Sequence, residues 1–241
     1  MSIKKITSFQ NPLIKELFQL KTSKKLRDKQ QTCILFSKKL INDLLPHIDV
    51  QIALSCHEEH LKRFSHSVLI SPVMWEKFTR APANKDALCV SVKMPKMQWP
   101  KTCKSVLVLD TIQDPGNMGN LIRTAAALNF DAIYAIDSCD IFNDKTLKAS
   151  RGANFILSTI VGTWPSLFEV LEAEEIPLFV ADLKGNMAKK QMRFALCVCN
   201  EGKGPSLAAK NEKRITIPIH NVESLNEAVA GGILMAKLKG I

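Results

Sequence analysis

From Val106 onward, short apolar runs alternate with helical patterns, and that alternation limits the fold more than any other feature of the chain. The runs are "VLVLD" (106–110), "AIYAID" (132–137), "FILSTIV" (155–161), "PLFVA" (177–181), "FALCVC" (194–199) and "RITIPI" (214–219). Strands separated by helices in this way predict an α/β fold with a mainly parallel sheet, covered on both faces, whose ligand sits at the carboxyl ends of the strands.

Residues 8–92 read as a smaller α/β unit. A helix is expected from Pro12 to Lys21, a strand at "TCILF" (32–36), a helix from Lys38 to Leu45, then strands at "QIALS", "SVLIS" and "ALCVSV". Between the two parts, "KMPKMQWPKTCK" (93–104) carries two prolines, four lysines and no apolar period, which marks a linker. The expected organisation is therefore a first domain over 1–95, a linker over 96–104 and a second domain over 105–241. A chain of 241 residues that is 46% hydrophobic can bury a core in each.

The longest apolar runs fall short of the roughly 20 residues that span a bilayer, and "MSIKKITSFQNP" at the start has no apolar targeting segment. No secretion, no membrane anchor and a cytoplasmic location are expected. The seven cysteines are odd in number and form no C-x-x-C pair, which fits reduced thiols. "HEEH" (57–60) offers two histidines but no third ligand, so they read as surface residues and no metal is expected.

Charge is unevenly placed. Residues 1–100 carry a net +9 of the chain's +10, and eight cations lie between Lys4 and Lys29. A single run such as "KTSKKLRDK" is by itself an ordinary solvated helix face. The asymmetry of the whole chain favours a polyanionic partner, with Lys24, Lys25 and Arg27 as candidate phosphate contacts.

The stretch "DPGNMGNLIRTAAAL" (114–128) follows the first strand of the second part. Asp114-Pro115-Gly116 should turn the chain sharply, with Asn117 as N-cap. Leu121, Ala125 and Leu128 then face the sheet, while Asn120 and Arg123 share the opposite face, toward cleft or solvent. The two glycines match neither a dinucleotide fingerprint nor a Walker A loop. A dehydrogenase also needs an acidic residue about 20 positions on, for which only Asp137 is available. Further along, Ser224 and Glu227 form an S-x-x-E capping box opening the small-residue helix "AVAGGILMAKL". A helix start alone would explain both.

Four stretches occur in order: "NxGxxxRTA" from Asn117, "KASRGANF" (148–155), "CNEGKG" (199–204) and "IPIHNVESLNEAVAGGI" (217–233). Together they resemble the SpoU/TrmH family of RNA ribose 2'-O-methyltransferases, in the SPOUT superfamily. The first 30 residues, "ITSFQNPLIKELFQLKTSKKLRDKQ" among them, look like the start of the RNA-binding domain that many members carry.

The resemblance implies a C-terminal trefoil knot, homodimers, S-adenosylmethionine as cofactor, and structured RNA, ribosomal or transfer, as partner. The basic first domain points to ribosomal RNA. By the same resemblance Arg123, Asn117, Glu201, Ser224 and Asn226 form the active site. Cys199, Asn200, Gly202, Ile217, Ile219 and Leu225 would enclose the cofactor, and Lys148 would touch RNA. Family members assign the arginine matching Arg123 as general base. A guanidinium holds its proton above pH 12 or so, so gripping a phosphate beside the reacting hydroxyl is the better role, with the base left open. The sequence departs from the family at Asp144, Lys148 and Cys199 and in a shorter loop at 217–225. A catalytically impaired RNA-binding relative is therefore the alternative class.

Overall fold

The computed structural model describes residues 3–200, 202, 204–209 and 212–241. They form two compact units, one of residues 1–95 with 142–148 and one of residues 96–141 with 149–241.

In the first unit the elements are β1 (Lys4–Lys5), α1 (Pro12–Thr22), α2 (Lys24–Gln30), β2 (Thr32–Phe36), α3 (Lys38–Leu44), β3 (Val50–Ser55), β4 (Ser67–Leu69), α4 (Pro72–Thr79) and β5 (Leu88–Lys93). The strands lie in the order β1-β4-β3-β5-β2. The β1/β4 and β3/β4 pairs are parallel, whereas β5 runs antiparallel to β2 and β3. Asn11 caps α1 through Leu13 N, with Pro12 preset at the first helical position. Ile14, Leu17 and Leu20 then recur at helical spacing and pack with Ile34, Leu54 and Phe78.

Two helices lie outside the sequence reading. In α4, Ser71 is the cap and Pro72 the first residue, so the strand expected at "SVLIS" is observed over Ser67–Leu69 and the helix follows it directly. In α2, Ser23 caps a seven-residue helix inside the basic run. Its Arg27 is only 4% exposed and donates to the carbonyls of Leu20 and Lys21. Arg27 thus braces α1 against α2, which corrects its expected place among surface phosphate contacts.

In the second unit come β6 (Ser105–Asp110), α5 (Pro115–Ala127), β7 (Ala132–Ile136), α6 (Asp144–Ala149, residues 144–148 of which group with the first unit), β8 (Ser158–Val161), α7 (Trp164–Ala173), β9 (Leu178–Met187), β10 (Phe194–Cys199), β11 (Lys213–Thr216) and α8 (Glu227–Lys239). The sheet order is β11-β9-β10-β6-β7-β8, and every neighbouring pair is parallel. From β6 the chain moves one way through β7 and β8, then returns to the other side of β6. The order therefore reverses between β6 and β10, where such sheets open a crevice at their carboxyl ends.

Two details shape that edge. The β9/β11 register jumps from Arg214↔Val180 to Ile215↔Asn186, so residues 181–185 leave the ladder. Gly185 is required there: a Cβ would lie 2.5 Å from Ile215 N. Helix α8 crosses α5 at Gly231, whose absent Cβ would meet Leu121 Cδ2 at 2.5 Å and Val198 Cγ2 at 3.1 Å. At its far end Lys239 donates to Asn129 O (2.6 Å) and Ser105 Oγ (3.0 Å), tying α8 to the start of β6. Among the described residues no helix is long and apolar enough to cross a membrane, and all seven cysteines are free thiols.

The crossing at Gly231 makes a paired prediction. Gly231→Val should lower stability by about 1–3 kcal/mol through overpacking. Gly232→Ala places its Cβ 3.7 Å from Thr124, an ordinary contact, and should instead raise stability by up to about 1 kcal/mol through helix propensity. Urea midpoints of the two variants check this; a loss of equal size in both would contradict the crossing geometry.

Candidate functional site

The crevice at the β6/β10 reversal is built first by the start of α5. Asp114, not Asn117, is its N-cap, with Oδ1 accepting from Asn117 N at 2.7 Å. Nor does Gly116 supply a left-handed turn; a side chain there would crowd the capping carboxylate, 2.9 Å from Asp114 Oδ1. The turn falls earlier, at Thr111 (φ 57°), where the chain leaves β6.

Because Asp114 does the capping, the side chain of Asn117 is available for tertiary contacts. Its Nδ2 donates to Glu227 Oε1 at 3.0 Å, and its Oδ1 accepts from Asn226 Nδ2 at 3.2 Å. Asn226 is the N-cap of α8, its Oδ1 accepting from Ala228 N and Val229 N. The expected Ser224–Glu227 capping box is thus corrected. Ser224 lies two residues before the cap, and Glu227 is the first helical residue, 7% exposed. The starts of α5 and α8 are therefore joined by a three-residue polar network.

Beside that network lies a cavity of about 290 Å³, lined in part by Cys199, Asn200, Ile217, Ile219, Ser224, Leu225 and Glu227. Residues 181–184, displaced from the β9 ladder, form another wall. Asp182 there is held by Arg214 at 3.0 Å. Asn200 shapes the turn after β10: its Oδ1 accepts from Gly202 N (3.0 Å) and its carbonyl from Gly204 N (2.9 Å). Gly202 is exposed and does not line the cavity. Glu201 lies outside the described residues.

The Cys199 Sγ points toward the Ala181 carbonyl, 4.0 Å away. Burial, and secondarily the nearby Asp110 carboxylate, push its thiol up to about 11. It is therefore a neutral, unreactive side chain at physiological pH. Asp110 itself is fully buried, Oδ2 accepting from Ser206 N at 2.9 Å. That bond fastens the 204–209 segment to the end of β6.

Other expected site residues lie elsewhere. Arg123 is exposed on α5, away from the buried Leu121 and Ala125, does not line the cavity, and makes no hydrogen bond or ion pair among the described residues. Lys24 and Lys25 are exposed on α2, and Lys148 on α6 groups with the first unit. His60 is a correction: it is 5% exposed, its Nδ1 3.3 Å from the Ala87 carbonyl. Among the described residues no group of three or more His, Cys, Asp or Glu could hold a metal. Sequence reasoning missed Glu227 and Asp182 as cavity residues. The capping pattern had absorbed the first, and only the register jump reveals the second.

A mostly apolar cleft with two carboxylates, at a strand-order reversal of a parallel sheet, defines a cofactor-binding α/β domain. Its carboxylates suit a ligand bearing positive charge, and its apolar walls a flat ring. Residues 104–236 match the model of the SpoU rRNA Methylase family, and the chain belongs to that family. It is 31% identical over 253 residues to the 23S rRNA (guanosine(2553)-2'-O)-methyltransferase RlmP of Bacillus subtilis, covering 99% of this chain and 100% of that one. An rRNA methyltransferase from Sinorhizobium meliloti superposes with a TM-score of 0.86 at 22% identity, covering 100% of this chain and 98% of that one. Its AdoMet-bound form gives 0.85 at 23%, covering 99% and 98%.

The environment of Cys199 yields a test. With a thiol near 11, only about one molecule in a thousand is thiolate at pH 8. Alkylation by iodoacetamide should be slow at neutral pH, rise about tenfold per pH unit toward 11, and fall when S-adenosylmethionine is added. Peptide mapping by mass spectrometry reads this; fast, pH-independent labelling would contradict the buried placement.

Proposed function

We propose that this protein transfers a methyl group from S-adenosylmethionine to a ribose 2'-hydroxyl of ribosomal RNA. The observation that carries the reading is the cavity at the β6/β10 reversal in a chain of this family, closed by Cys199, Asn200, Ile217, Ile219, Ser224 and Leu225. The full-length relative acts, by its name, on a guanosine of 23S rRNA, which makes 23S rRNA the first substrate to try.

When bound, the cofactor would supply an electrophilic methyl group on a sulfonium, to be taken by the ribose oxygen as its proton passes to water, with a neutral thioether as the leaving group. The chain has to hold the reactants in line and exclude water. Ile217, Ile219 and Leu225 supply apolar walls, and Asp182 and Glu227 place negative charge beside a cationic ligand. Asn117 and Asn226 keep Glu227 in place from behind. Arg123 is assigned the grip on the phosphate next to the reacting ribose; its fixed charge and forked donors fit that task better than proton abstraction. Glu201 and Ser224 complete the polar set, and Gly202 the cofactor turn.

The segment from β10 to α8 is taken to form the trefoil knot. Two copies are taken to pair: Val229 and Ile233, one turn apart on α8, are 51% and 38% exposed. The exposed Arg123 would then face a neighbouring copy or the RNA. Residues 1–95 are proposed as an RNA-binding domain and 96–104 as its linker, with Lys24, Lys25 and Lys148 as phosphate contacts, in a cytoplasmic protein.

The test is methyl transfer from labelled S-adenosylmethionine to deproteinised 23S rRNA. Arg123→Ala should lower turnover by about a hundredfold or more while cofactor affinity by calorimetry and the thermal midpoint stay near wild type. Wild-type turnover in the variant would remove the role given to Arg123. Absence of cofactor binding by the wild-type protein would remove the reading as a whole.

A further inference from the structure

The first unit carries a groove of its own. It measures about 500 Å³ and lies between α1 and α4, with Phe9, Phe18 and Ile14 as its floor and Lys15, Lys77 and Arg80 on its banks. Lys15 and Phe18 share one face of α1 at i and i+3, joined by Gln19 one turn on from Lys15. Opposite them stand Lys77 and Arg80, the latter placed by its left-handed C-cap conformation (φ 59°) at the end of α4.

The cations here differ from others of the basic first unit. Lys21 donates to the carbonyls of Phe78 and Thr79, Arg27 is buried, and Lys93 pairs with Asp49 at 3.0 Å. Lys15, Lys77 and Arg80 make no ion pair among the described residues, although Lys77 Nζ sits over the Phe9 ring at 4.7 Å. Phe18 meets Phe78 in a T-shaped contact with centroids 6.2 Å apart and is still 37% exposed. The groove therefore offers an open aromatic surface flanked by three cations that form no ion pair among the described residues.

We propose that this α1/α4 groove binds an unpaired RNA nucleotide, its base stacked on Phe18 and its flanking phosphates held by Lys15, Lys77 and Arg80. The inference rests on the RNA-modifying reading above and adds which form of RNA the first unit takes. A duplex keeps the faces of its bases inside the stack and is read by shape and backbone, so it gains nothing from an aromatic floor. An unpaired base gains a stacking contact, and its phosphates gain the cations on both banks. Gln19 can donate to or accept from a base edge. The groove thus selects loops, bulges or strand ends over paired helix.

The experiment uses full-length protein and two fluorescent RNAs of equal phosphate number, an unstructured oligouridylate and a perfect duplex, with anisotropy followed across a salt series. Wild type should prefer the single strand. Phe18→Ala should weaken the single strand about 5- to 100-fold and leave the duplex within twofold. Phe18→Trp keeps a packed aromatic ring and should retain the preference, so the comparison stands even if the alanine variant folds poorly. Replacing Lys15, Lys77 and Arg80 with alanine should reduce the slope of log K against log salt by about 2 for the single strand. Equal losses for both RNAs, or no loss for either, would overturn the proposal. So would polyglutamate displacing the single strand as well as free oligouridylate does, which would indicate an acidic protein surface instead. Methyl transfer by wild type to 23S rRNA is measured separately. Its failure would count against the reaction, and the oligonucleotide comparison would still decide the groove.

Discussion

The close crossing of α8 on α5 and β10 is the contact on which the rest of the second unit depends. Gly231 lets α8 approach until Leu121 and Val198 fill the space where its side chain would be. Only at that distance can the two helix starts share hydrogen bonds, with Asn117 joined to both Asn226 and Glu227. The same approach brings Glu227, Ala230 and Leu234 against the end of β10, which closes one wall of the cavity. Packing in the helix middle thus fixes the polar geometry at its start.

The strands of this unit were legible because buried parallel strands are continuous apolar runs bounded by turn residues. "FALCVC" is a strand over its whole length, and "VLVLD" gains only Ser105. Failures fall where a non-local contact decides the structure. "FILSTIV" is strand only from Ser158, because Ala153–Phe155 form a tight turn held by the 150–154 segment. Strand β9 runs to Met187 because β11 resumes pairing with it beyond the displaced loop. In the first unit, α2 was hidden by a basic run, and α4 went unread just beyond the strand in "SVLIS", though Ser71-Pro72 and Ser23 are ordinary helix-start signals.

The site was legible as a set of stretches more than as roles. Cys199, Asn200, Ile217, Ile219, Ser224 and Leu225, from three separate stretches, line one cavity. Which residue caps each helix was not legible, since Asp114, Asn117, Ser224 and Asn226 are all good caps by residue type. The choice follows from where the two helices meet. Asp114 caps α5 by reaching Asn117 N, and that releases the Asn117 side chain to span the gap to α8. Glu227 then becomes a buried carboxylate beside a ligand cavity, a position that one helix alone would never favour.

Charge shows the same dependence on packing. By count, the cations near Lys24 were the densest part of the first unit, yet density in sequence is not density at a surface. Folding turns Arg27 inward, and Lys21 onto the carbonyls that end α4. It also brings Lys15 together with Lys77 and Arg80, which lie more than 60 positions further along the chain, around two phenylalanines. A polyanion responds to the potential of the folded surface and, at physiological salt, to charges within roughly 8 Å. Cations converging from two helices on one groove therefore constrain a phosphate backbone more than a longer run spread around one helix.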